Sequence, residues 1–134
     1  GANSYTEEGR KFVHKKLDGV DMAVLHNLMR NPIDGESIEF NDNRLSLYSA
    51  QKGKCAVTGK QMEADEVICI KKIPKEQGGT DKYSNLLLVC RKIQELLNVK
   101  DIKTFSEEMD KLNLDKKQSD KLLKLRSLAF VESR

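Results

Sequence analysis

An α+β fold, mostly helical, is predicted for this chain by three observations. Apolar residues recur at helical spacing towards both ends, two short β-rich runs flank a glycine-containing loop in the middle, and the second run leads straight into another helical pattern. The 134 residues suit about one domain, long enough to bury a modest core without disulfide staples. With 38% hydrophobic and 34% charged residues, the chain is charge-rich but keeps the Leu, Ile and Val that a disordered sequence lacks. It is expected to fold.

Taken in order, Thr6 can cap a helix through "EEGRKFVHKKL", with Glu7 and Glu8 at its positive end and Lys15 and Lys16 at the other. Asp21 can cap a second helix, "MAVLHNLMR", in which Val24, Leu25, Leu28 and Met29 form an apolar stripe. Pro32 forces Asn31 out of helical geometry, and Gly35 reads as a turn. "SIEF" is expected to be a short extended segment. A third helix, "NDNRLSLYSAQKG", starts near Asp42 or Asn43 and is closed by Gly53.

From Cys55 the pattern changes. "CAVTGK" supplies β-branched residues and a glycine turn, and "EVICIKKI" is a strand with Val67, Cys69 and Lys71 on one side and Ile68, Ile70 and Lys72 on the other. Pro74 ends it. The loop "KEQGGTDKYSN", the run "LLLV" and the helix "CRKIQELLNV" follow, the last with Ile93, Leu96 and Leu97 on one face. Beyond Asp101 the chain reads as helical, with capping boxes at Thr104/Glu107 and Asp115/Gln118 and a stripe through Leu122, Leu125, Arg126 and Ala129. These last helices are expected to act as packing supports.

Net charge is only +3, but the windows 10–30 and 69–98 each carry +3, leaving the remainder at −3. Cations concentrated in this way could neutralise phosphates, or form an ordinary solvated surface. Three cysteines, Cys55, Cys69 and Cys90, with no CxxC pair argue against a disulfide framework and for a reducing cytosol; buried as small apolar groups, they suit a core better than a zinc site. No run has the length of a membrane span, and no signal peptide is evident. "GANSYTEEG" reads as a tag remnant joined to the interior of a longer protein, so an excised domain is expected.

Taken together, "YSAQKGKCAVTGK", "KKIPKEQGGTDKYSNLLLV" and "NLDKKQSDKLLKLR" resemble the C-terminal endonuclease region of group II intron reverse transcriptases, a branch of the HNH nucleases. A weaker likeness extends upstream through "YTEEGRKFVHKKL", "LHNLMRNP" and "SIEFNDNRLSLY", so that it covers nearly the whole chain. The resemblance implies an HNH-like ββα-metal core at 36–100, flanked by an N-terminal helical region at 5–35 that could contact DNA and helical support at 101–134, with residues 1–4 as linker. It also implies a parent RNA-directed DNA polymerase and maturase in a bacterial-type cytosol, with a DNA target and group II intron RNA as partners and intron mobility as the setting.

In such nucleases a divalent metal stabilises the departing oxygen while a histidine activates water. Family members carry adjacent histidines where this chain has Ile70 and Lys71, and further histidines where it has Cys90, Gln94 and Asn98; the central asparagine is kept as Asn85. Ile70 has no ligand atom, amides are weak metal partners, and a lysine base near pH 7 needs a pKa depressed by about three units. The expectation is a degenerate site with neither catalytic nor metal-binding residues and no cofactor. Asn85 should stitch its loop, and Gly78 and Gly79 should serve the backbone.

Lys71, Lys72, Lys75, Arg91 and Lys92 are the candidates for sequence-independent DNA contact. His14 and His26, the only histidines, are expected on helix surfaces. Two alternatives stand beside this reading: an active magnesium-type endonuclease rebuilt from Asp65, Glu66 or Asp81, and a protein-interaction module that does not bind DNA.

Overall fold

The computed structural model describes residues 16–17 and 19–129. A two-residue hairpin opens it, β1 (Lys16–Leu17) pairing antiparallel with β2 (Val20–Asp21) around Gly19, whose φ is 81°. The end of the first expected helix is therefore strand. The remainder of that helix, its Thr6 cap and His14 lie outside the described residues. Asp21 then caps α1 (Met22–Arg30), its carboxylate accepting from the Ala23 and Val24 amides at 3.0 and 3.3 Å. Val24 and Leu28 are buried, whereas Met29 at the edge of the expected stripe is exposed. Asn31 leaves helical geometry before Pro32, as the proline requires.

Helix α2 (Ile38–Ala50) begins earlier than the sequence pattern suggests. The Ser37 hydroxyl accepts from the Phe40 amide at 3.0 Å, so "SIEF" forms the helix start and is not extended. The reason lies in the buried face, Phe40, Arg44, Leu47 and Tyr48, which contains a charge. Arg44 donates to the Leu28 and Asn31 carbonyls at the end of α1, the Leu28 carbonyl also accepting from the Asn31 amide.

A turn carrying a Lys54–Gln61 bridge leads to β3 (Val67–Lys71), which pairs antiparallel with β4 (Leu86–Cys90) in the register Val67 with Cys90 through Lys71 with Leu86. Helix α3 (Arg91–Leu97) follows β4 without a break. It buries Ile93, Leu96 and Leu97 as the spacing predicts. Gln51, at the end of α2, grips β4 through a reciprocal amide pair with the Leu88 backbone, both contacts being 3.0 Å.

Helices α4 (Ile102–Asp110) and α5 (Lys116–Ala129) complete the fold. The cap of α4 is Asp101, whose carboxylate receives both the Thr104 amide and its hydroxyl, so Thr104 belongs to the first turn and is not the cap. Asp115 and Gln118 do form the expected reciprocal box. One core runs from Val24 and Leu28 through Tyr48, Met62, Leu88 and Ile93 to Phe105 and Leu122. Among the described residues no helix is long and apolar enough to cross a membrane.

Candidate functional site

The connection between β3 and β4 is held by one side chain. Asn85 accepts from the Ile73 amide at 2.9 Å and donates to the Ile73 and Thr80 carbonyls at 3.1 and 2.8 Å, tying both arms of the loop together. Inside that loop Gly78 adopts φ 92°, and a Cβ on Gly79 would stand 1.6 Å from the Ile73 carbonyl oxygen. Both glycines are thus required by the backbone, with Gly79 donating its amide to the Pro74 carbonyl at 2.9 Å.

Alternation along β3 splits the two central positions onto opposite faces. Ile70 lies towards α3, where Gln94 and Asn98, four residues apart on one helical face, join it and Lys72 around a pocket of about 150 Å³. Leu125 and Ala129 of α5 close the pocket from above. Four of the sequence-predicted positions, Ile70, Lys71, Gln94 and Asn98, line this pocket, while Asn85 stays in the loop. The donors offered here are two neutral amides beside an ammonium and an aliphatic chain. Such a set does not fit a divalent metal, which needs carboxylate, imidazole or thiolate.

The Lys71 ammonium is engaged beyond this pocket. Its ammonium lies 3.1 Å from Glu36 and 3.6 Å from Asp81, and 4.9 Å over the Phe40 ring. Burial lowers its proton affinity, but the hydrogen bond and charge of Glu36, followed by the charge of Asp81, more than offset this and hold its pKa above the ordinary lysine value. That is opposite to what a general base at neutral pH needs. Asp81 is fixed in turn by the Ser37 hydroxyl at 2.6 Å, and its carbonyl by Asn43 at 2.9 Å. The cluster lines an open polar pocket of about 450 Å³ with Lys75 and Thr80. Sequence reasoning missed Glu36, which lies 35 residues from Lys71 and belongs to no local motif.

The carboxylates proposed for a rebuilt site do not converge. Asp65 and Glu66 precede β3, and Glu66 is occupied by the Glu63 amide at 2.8 Å, whereas Asp81 lies beyond the far end of the strand. With a rise of about 3.3 Å per residue, the five residues of β3 separate them by far more than a shared coordination shell spans.

The remaining cations differ in availability. Lys92 pairs with Glu108 at 3.5 Å, and Arg91 donates to the Asp65 carbonyl. Lys72 and Lys75 have no ion pair among the described residues. His26 is exposed on α1 and lines none of the pockets described above.

The cysteines fall into two places. Cys69 is set apart beside Arg44, and burial pushes its thiol up to about 12. Cys55 and Cys90 meet elsewhere: the Cys90 amide donates to Cys55 Sγ at 3.4 Å. Cys90 is thus placed against Cys55 and does not line the Gln94–Asn98 pocket.

Comparison of the chain with protein-family models, with curated proteins and with solved structures finds no match.

Proposed function

We propose that this chain is the endonuclease-like domain of a group II intron-encoded reverse transcriptase and maturase, without strand-cleaving activity, and that its remaining task is contact with DNA. One observation carries the reading: the junction of the strand end with α3 presents Ile70, Gln94 and Asn98, while Lys71 is spent on Glu36 and Asp81. The strand, loop, strand and helix order and the loop-stitching role of Asn85 agree with the likeness seen in the sequence. Hydrolysis of a phosphodiester needs a base and an electrophile at one point, and this junction offers neither.

Lys72 and Lys75 are the cations best placed to meet phosphate, being free of internal ion pairs among the described residues and set on the rim of the loop. Contacts of this kind fix position without reading sequence. Reverse transcription and splicing would then belong to the parent protein, with intron RNA as its partner.

The test is nicking of supercoiled plasmid with magnesium, manganese or nickel, run beside a salt titration of duplex DNA binding. The expected outcome is intact plasmid and an affinity that falls steeply with salt. Cuts abolished by chelator would overturn the inactive assignment, and binding independent of salt would overturn the DNA assignment in favour of a protein-interaction module.

A further inference from the structure

We propose that Cys55 and Cys90 form an oxidisable dithiol, which a small oxidant of the peroxide class converts to an intramolecular disulfide joining the turn after α2 to the head of α3. This inference does not depend on the nucleic-acid reading. It begins with backbone placement: the Ala56 amide donates to the Leu88 carbonyl at 3.0 Å, laying the turn alongside β4 two residues before Cys90. The Cys55 sulfur then receives amide hydrogen bonds from Thr58 at 3.5 Å and Cys90 at 3.4 Å. The Cys90 amide contact sets the Cys55 sulfur against the backbone of its partner residue, the neighbourhood from which a disulfide can close.

The surroundings assign the roles. Burial pushes the Cys55 thiol up, but the amides of Thr58, Cys90 and Val57, with the Thr58 side chain, outweigh it and leave the thiol below its ordinary pKa. Burial and the neighbouring Cys55 raise Cys90. Cys55 is therefore the more readily ionised thiol of the two and the one assigned the attack, with Cys90 as its resolving partner. Cys55 is only 2% exposed, while Cys90 is half-buried, so a small oxidant enters past Cys90 and a bulky one is turned away.

The chemistry balances with hydrogen peroxide as the two-electron oxidant. The Cys55 thiolate attacks one peroxide oxygen, forming S–O and breaking O–O, and the released hydroxide is protonated to water. Cys90 sulfur then attacks the Cys55 sulfenic acid, forming S–S and breaking S–O, and its proton leaves with the second water. Cys69, shielded beside Arg44 with its thiol held up near 12, takes no part and serves as an internal control.

The experiment treats the reduced full chain with hydrogen peroxide and reads intact mass, free thiols after denaturation, and a peptide map. The expected result is loss of two hydrogens, a fall from three thiols to one, a Cys55–Cys90 peptide, and a raised melting temperature. C69S should behave identically, whereas C55S and C90S should gain oxygen or remain unchanged. Oxygen addition to the wild-type chain without linkage, or covalent dimers through Cys69 or Cys90, would overturn the proposal. Should either serine variant fail to fold, the wild-type peptide map alone decides.

Discussion

Asn85 does at the residue scale what the sequence suggested, and the cost of losing it follows from its contacts. Replacing it with alanine leaves the Ile73 amide and the Ile73 and Thr80 carbonyls without their partner, which should cost about 1–3 kcal/mol in urea denaturation because part of the loop regains water. Lys71 gives a prediction in pH. Its folded pKa is raised above the unfolded lysine value, so the stability it contributes is complete below about pH 10 and is lost as pH rises through the folded value. The stability gap between wild type and K71M should therefore be constant from about pH 7 to 9 and shrink above pH 10, measured by thermal melting.

Elements reveal where the sequence was readable and where it was not. Helices α1, α3 and α5 announce themselves because their buried residues are apolar at regular spacing and Asp21 or Asp115 marks the start. The beginning of α2 is obscured because Arg44 interrupts its buried face and Ile38, in its first turn, is 82% exposed. At β1 the Asp18-Gly19 dipeptide between Leu17 and Val20 is a hairpin signal, hidden by the helix-like charges before it.

The site was legible as a set of positions, since Gln94 and Asn98 share a helical face opposite Ile70. The partners of Lys71 were not, because ion pairs across 35 residues leave no periodic trace. Two substitutions test these elements by urea denaturation. R44A should cost about 2–4 kcal/mol by emptying a buried position of α2 and removing its hydrogen bonds to the Leu28 and Asn31 carbonyls. G79A should cost more than about 3 kcal/mol, since the added carbon collides with the Ile73 backbone.

For the whole molecule, the arrangement of charge matters more than its total. Lys72 and Lys75 stand on the β3–β4 loop, and that loop is latched to the end of α5 by Gln77, which donates to the Ala129 carbonyl at 3.0 Å. A rigid rim of this kind presents its cations at fixed spacing. The K72E/K75E double variant should weaken duplex binding at low salt and reduce the slope of log affinity against log salt by about two, with the melting temperature nearly unchanged.

The clasp of Glu36 and Asp81 on Lys71 also sets the terms on which an imidazole could occupy that position. In K71H the same two acids would raise the ring's pKa above the ordinary histidine value, so the variant should be most stable while the ring is charged and lose stability as pH rises through that raised value. Exchanging lysine for imidazole there thus replaces a cation held across the neutral range with one that is lost sooner as pH rises.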